Sequence, residues 1–260
     1  MRRNNLLRFD AGSTGDFPRV DESKRVYAIG DIHGRFDLFL KLMNIICEDA
    51  NLRADHRQTS FVFMGDYIDR GEETAEVLSA LTRLAEFRSN HIIFLRGNHE
   101  EALERFLSSP ETSAEWLDFG GLQTLLSFGI KPPRFSAGRS DIIRVRDELA
   151  ERLLSCRPLF DGLVDVYRSG NVVFAHAGVD PRIPLEDQNR NTFLWGNPRC
   201  LVDQPIKGIG VVHGHYDDVS TVCLSGRICV DTGAYYSNRL TAVRLDAGKA
   251  FLSASSGATN

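Results

Sequence analysis

Long apolar runs are missing from this chain. Nothing in it approaches the roughly eighteen consecutive apolar residues of a spanning helix, so no membrane partner is expected. The N-terminus, Met1-Arg2-Arg3-Asn4-Asn5, is followed only by Leu6-Leu7 before Arg8, too short a run for a signal-peptide core. Cysteine is scarce: five residues (47, 156, 200, 223 and 229), odd in number and without a C-x-x-C pair. A disulfide framework is not expected, and a reduced, cytoplasmic protein is the simplest reading. No block of Lys and Arg stands out, and 31 basic against 35 acidic residues leave a net charge of −4. Partners bound by phosphate neutralisation, duplex nucleic acid above all, are not expected. The 22 glycines and 9 prolines are an ordinary share of 260 residues, with 42% hydrophobic and 25% charged residues. Collagenous, low-complexity and largely disordered chains are thereby excluded. The length allows one large domain or two small ones, with roughly three quarters of the unfolded surface buried on folding.

What is present has a clear rhythm. Residues 1–23 are polar and mixed in charge and read as an N-terminal tail. Arg25–Gly30 is a short apolar run ending in glycine, which predicts a buried strand. Asp31-Ile32-His33-Gly34 follows, and then apolar residues from Phe36 to Ile46 at helical spacing. The pattern returns twice. Phe61–Met64 predicts a strand, 65–71 a polar loop and Thr74–Phe87 a helix. Ile92–Leu95 predicts a strand, 97–100 a loop and Ala102–Leu107 a helix start. Strand–loop–helix three times means βαβ units and helices on a sheet. Residues 101–160 are helical in pattern and read as a cap-like insertion. After 160 the chain turns strand-rich, with no Gly/Ser linker between the halves. The pattern predicts an α/β protein, residues 24–260 forming a single domain with two sheets in a layered sandwich.

Chemistry gathers where these strands end, as open α/β sheets require. Asp31 and His33 follow the first strand, Asp66, Asp69 and Arg70 the second, and Asn98, His99 and Glu100 the third. His176 follows Val172–Ala175, and His213 and His215 follow Gly210–Val212. Five of the seven histidines therefore fall at strand ends. Imidazole nitrogen and carboxylate oxygen suit zinc, iron and manganese. No cysteine sits at these ends, against a thiolate zinc site. Six or seven ligands exceed one tetrahedral ion, which points to two ions sharing a carboxylate, a known device for displacement at phosphorus.

Gly30-Asp31-Ile32-His33-Gly34, Gly65-Asp66-Tyr67-Ile68-Asp69-Arg70-Gly71 and Arg96-Gly97-Asn98-His99-Glu100 resemble the three signature motifs of the phosphoprotein phosphatase family of calcineurin-like metallophosphoesterases. His176-Ala177-Gly178 and Gly214-His215 resemble its two downstream histidine motifs, in the same order. The resemblance spans residues 30 to 215 and extends to the bacterial-type serine/threonine phosphatases. It implies a four-layer α/β/β/α sandwich of two mixed sheets, the metallophosphoesterase fold, with a helical insertion. It implies Asp31 and His33 on one metal, Asp66 bridging, and Asn98, His176 and His215 on the other. His99 would be the general acid, Asp69 its partner, and Arg70, with Asn98, would bind substrate. The implied cofactors are two divalent ions, manganese foremost, with iron or zinc as alternatives. Hydrolysis by metal-bound hydroxide needs no nucleophilic side chain.

The pattern is broken once. Where the family often has a second phosphate-binding arginine in a Trp-x-Arg setting, this chain reads Trp195-Gly196-Asn197, and Arg199 after Pro198 is read as a surface residue. His213 is left open between a group behind the ligands and a structural histidine. Glu100 is read as an acid that orients its loop, and Tyr235-Tyr236 as packing. Asp-Arg-Gly and Asn-His-Glu favour a phosphomonoesterase acting on phosphoproteins at Ser/Thr, with Tyr as a further option. The alternative is a symmetrical dinucleoside tetraphosphatase-like hydrolase, a class tending towards Ala-Arg-Gly and Asn-His-Asp. A catalytically dead scaffold is disfavoured because every proposed ligand is present. A nucleic-acid phosphodiesterase is disfavoured by the acidic charge.

Overall fold

Strict alternation in the first strand divides the molecule into layers. In the computed structural model, which describes residues 17–53, 55–87, 89–134, 138–201 and 206–257, β1 (Lys24–Ile29) turns Val26 and Ala28 to one side and Tyr27 and Ile29 to the other. The two pairs join separate apolar clusters. That is the period-two rule of a strand covered on both faces. β2 (Gln58–Phe63) and β3 (Ile92–Phe94) continue the sheet in parallel. Two later strands, β9 (Arg239–Leu245) and β10 (Lys249–Ser255), close its other edge antiparallel. The order is β10-β9-β1-β2-β3.

The second sheet has the order β4-β5-β6-β8-β7. Its strands are β4 (Val166–Ser169), β5 (Val172–Ala175), β6 (Gly210–His213), β7 (Val222–Cys223) and β8 (Arg227–Cys229). β5, β6 and β8 are parallel, and β4 and β7 are antiparallel edges. Both sheets are therefore mixed. Val62, Met64, Phe174, Val212, Ile228 and Val243 fill the space between them with Val26 and Ala28. Outside the first sheet lie α1 (Phe36–Asn51), α2 (Thr74–Glu86) and α3 (Asn98–Ser108). α4 (Gly121–Ser127) and α5 (Arg139–Leu153) come from the expected insertion. Their Leu125, Val145 and Leu149 belong to the same apolar cluster as Tyr27 and Phe63. The layer outside the second sheet is thin, with the short helix Arg190–Trp195 supplying Phe193 against Val173 and Ala175. This is the α/β/β/α arrangement expected.

Three local expectations change. Residues 1–16 of the expected tail lie outside the described residues, but Phe17 and Val20 are buried and join the inter-sheet core. Packing thus begins before residue 24, because Phe17 lies over Gly210, where a side chain would collide with its ring. The strand-rich part expected after 160 starts only at Val166, since Leu163 is taken into the helical-side core. β10 had no counterpart in the pattern. Among the described residues no helix is long and apolar enough to cross a membrane.

Candidate metal centre

β1, β2, β3, β5 and β6 point their carboxyl ends at one place. The loops leaving them carry the predicted residues, and all of the predicted ligands meet there. Asp66 lies at the middle. Its Oδ2 is 3.5 Å from His33 Nε2 and its Oδ1 is 3.4 Å from His176 Nε2. Asn98 Oδ1 lies 2.9 Å from both His176 Nε2 and His215 Nδ1. Asp31 Oδ2 accepts the His215 backbone N–H at 2.9 Å. Two groups able to hold an ion result, His33–Asp66–His99 and Asp66–His176–His215, the ligand atoms of each within 4.8 Å of one another. Asp66 belongs to both.

The backbone works to reach this geometry. Six described residues other than glycine have left-handed φ, and five of them are His33, Asp66, Asp69, Arg70 and His215. Such conformations cost free energy and persist where surrounding structure enforces them. Here the enforcement is visible. Glu100, fully buried, accepts the backbone N–H groups of Asp66, Tyr67 and Gly97, each at 2.9 Å. It staples the β2 loop to the start of α3, the orienting role expected of it. Gly97 must be glycine, since a Cβ there would collide with the Asp66 carboxylate and amide.

The donor set fits cations. His33 Nδ1 and His176 Nδ1 each lie 2.8 Å from a backbone carbonyl, of Ile68 and Met64. A nitrogen beside a carbonyl carries the proton, so in the neutral rings Nε2 is left as a bare lone pair. The His33 lone pair so faces the Asp66 carboxylate, whereas at His176 burial disfavours charge but Asp66 outweighs it and raises the pKa. Burial makes His33 hard to protonate, outweighing the pull of Asp66. Burial works to raise Asp66, yet His176 and His99 hold it well below the usual carboxylate range. Asp31 is pushed up by burial and by its neighbours Asp231 and Asp66, and its Oδ1 is buried without a hydrogen-bond partner. A facing lone pair, like charges and an orphaned carboxylate oxygen are what divalent ions relieve.

Beside the cluster stands a dyad. His99 Nδ1 is 2.7 Å from Asp69 Oδ2, and its Nε2 is 3.9 Å from Asp66 Oδ2. Burial disfavours charge on His99, but Asp66 and the Asp69 bond outweigh it and raise its pKa. Sequence reasoning missed how Asp69 itself is held. Trp116 Nε1 donates to Asp69 Oδ2 at 2.9 Å, and Thr124 Oγ1 to Asp69 Oδ1 at 2.6 Å. Both come from the 101–160 segment, which carries no motif; a buried Trp needing a partner was the only signal. Tyr235 was also underrated. Its ring packs edge-on against His33 at 5.5 Å, and the Arg70 guanidinium lies over it at 4.8 Å.

Other sequence questions close. His213 turns away: its Nδ1 meets the Gly214 carbonyl at 2.8 Å and its Nε2 takes Arg227 at 3.0 Å. Burial and Arg227 push it down to about 3, so it is a neutral structural ring. Arg199 pairs with Asp180 at 3.2 Å and does not stand in for the missing arginine. Asn197 instead caps the Arg199 amide through its Oδ1. Asp231 closes a turn on the Gly233 amide. Arg70, Asn98 and His99 line a cavity of 710 Å³ together with Phe119, Trp195 and Tyr235.

Comparisons with known proteins agree with this geometry. The asymmetrical bis(5'-nucleosyl)-tetraphosphatase PrpE of Oceanobacillus iheyensis is 28% identical over 239 residues, 85% of this chain and 88% of its own. A serine/threonine-protein phosphatase of Candida albicans is 40% identical, but over 75 residues, 29% of this chain and 23% of its own. The solved structure of a candidate diadenosine tetraphosphatase superposes with a TM-score of 0.57 at 18% identity, covering 94% of this chain and 99% of that one. Residues 24–231 match the calcineurin-like phosphoesterase family, and this chain is a member of it, a hydrolase of phosphoric esters.

Proposed function

We propose that this enzyme hydrolyses dinucleoside polyphosphates at the Asp66 centre. The observation that carries the reading is the cavity, which brings Arg70, Asn98 and His99 together with the aromatic side chains of Phe119, Trp195 and Tyr235. At 710 Å³ it has the size of a small-molecule site and exceeds what a phosphoryl group needs. The relatives aligned over most of the chain support it, being bis(5'-nucleosyl)-tetraphosphatases. This reverses the order of the two sequence readings, which put phosphoproteins first. It also changes the kind of tetraphosphatase, since those relatives are named asymmetrical. An asymmetrical cut of a tetraphosphate leaves a monophosphate and a triphosphate.

The family is dinuclear-metal dependent. In this reading Asp31, His33 and Asp66 hold one ion, and Asp66, Asn98, His176 and His215 the other, with manganese the first ion to try. Bound there, the ions supply Lewis acidity and an activated water. The chain's own residues do the rest. The Arg70 fork matches two phosphoryl oxygens, and the Tyr235 face steadies it. Among the described residues Arg70 forms no ion pair that a substrate would have to break. Asn98 orients the phosphoryl group. His99 holds Nδ1–H on Asp69 and gives its Nε2 proton to the leaving oxygen.

A phosphoprotein substrate is the second reading, favoured by Asp69-Arg70-Gly71 and Asn98-His99-Glu100 and by short matches of higher identity to protein phosphatases. Manganese-loaded enzyme offered diadenosine tetraphosphate and phosphoserine, phosphothreonine and phosphotyrosine peptides separates the two. The expected result is AMP and ATP from the dinucleotide at a kcat/KM well above that for any peptide. Faster release of phosphate from peptides overturns it.

A further inference from the structure

The cavity also contains groups that hydrolysis of a phosphoester does not need. Phe119 leaves 53% of its surface exposed at the cavity, although it is a large apolar side chain. Gln123 lines the same cavity, and among the described residues its side-chain amide has no hydrogen-bond partner. Trp195 is fixed in place: its Nε1 donates to Glu101, and the Arg105 guanidinium stands 6.0 Å from its ring centroid. The loop carrying Phe119 is anchored beside the phosphate-facing arginine. Gly120 O accepts the Arg70 backbone N–H at 3.3 Å, and a Cβ at Gly120 would come within 2.5 Å of that nitrogen. The loop at Phe119 is therefore held at a set distance from Arg70.

We infer that Phe119, Gln123 and Trp195 form a nucleobase subsite, selective for adenine, beside the phosphate position at Arg70. The inference rests on the dinucleoside polyphosphate reading. Flat apolar rings stack on any base. A free carboxamide offers one donor and one acceptor side by side, the complement of the adenine N6 and N7 edge. Leu117 and Leu122 complete an apolar surround, which strengthens such a pairing by excluding water. Asp118, on the same rim, disfavours a second phosphate there and leaves Arg70 as the anion's place.

The test uses the full chain loaded with manganese and the variants Phe119→Ala and Gln123→Ala. Neither residue belongs to the metal cluster or the His99–Asp69 dyad. By calorimetry the wild type is expected to bind AMP more tightly than inorganic phosphate, and Phe119→Ala to lose most of that difference. Loss of one stacking contact should raise KM for diadenosine tetraphosphate about tenfold to a hundredfold. Kinetics on p-nitrophenyl phosphate, which has no base, should stay at wild-type values and report an intact centre. Gln123→Ala should narrow the preference for diadenosine over diuridine tetraphosphate. Equal binding of AMP and phosphate by the wild type overturns the subsite, as does a proportionate loss on both substrates in the variants. Hydrolysis of p-nitrophenyl phosphate together with tight AMP binding, but no hydrolysis of the dinucleotide, instead overturns the substrate reading and leaves the subsite standing.

Discussion

At the scale of the residue, the proposed mechanism turns on His99 and on what holds it. His99→Asn should keep its metal content by elemental analysis and lose about 10²–10⁴-fold in kcat. The loss should be largest for poor leaving groups; unchanged turnover on such a substrate contradicts the acid role. The pH dependence has a definite sign. Asp69 and Asp66 raise the His99 pKa over the opposing effect of burial, so the acid form persists below that raised value. Activity should fall as pH rises through it. Asp69→Asn removes one of the raising partners, and its alkaline limb in a kcat–pH profile should move to lower pH; an unmoved limb contradicts the pairing. Much of this was legible in the sequence. Asp31, His33, Asp66, Asn98, His176 and His215 each follow a short apolar strand beside a glycine, so their place at strand ends could be read directly. Trp116, Thr124 and Tyr235 could not, because only tertiary packing brings them to Asp69 and Arg70. His213 illustrates the limit from the other side. It is two residues from His215 and shares its motif, but the preceding strand delivers its ring to Arg227 instead.

At the scale of the element, α1 is tied to the first sheet by a buried polar knot. Arg244 on β9 reaches Asp49 at 2.8 Å, and Tyr27 on β1 donates to Asp49 at 2.8 Å. Burial works to raise Asp49, but the bonds from Arg244 and Tyr27 hold its pKa below the usual value. A depressed carboxylate stabilises the fold above the ordinary pKa of about 4, and that contribution is lost as pH falls below it. Asp49→Ala strands a buried guanidinium, which keeps only Asp246 at 3.1 Å. It should cost about 3 kcal/mol in urea unfolding at pH 7. The difference from wild type should shrink at acid pH. A cost that is the same at pH 3 and pH 7 contradicts the linkage. β10 is the element the sequence hid. Its KAFLSAS alternates, but alanine and serine on an edge strand leave little hydrophobic contrast to read. The β1 and β5 runs are apolar on both faces and were plain.

At the scale of the whole molecule, two mixed sheets bring five strand ends together from residues as distant as 31 and 215. The 101–160 segment then supplies both the clamp on Asp69 and one wall of the cavity. In the proposed reading, the posture of His99 and the choice of substrate both depend on this one stretch of chain, which no short motif marks. The central claim is a centre of two ions that share Asp66 and act on phosphoric esters. It is tested most directly by titrating metal-free protein with Mn²⁺, at protein concentrations well above the dissociation constants, while following hydrolysis of diadenosine tetraphosphate. The account predicts that activity is absent in chelator and rises to a plateau at two equivalents per chain. A plateau at one equivalent, or full activity in chelator, contradicts it.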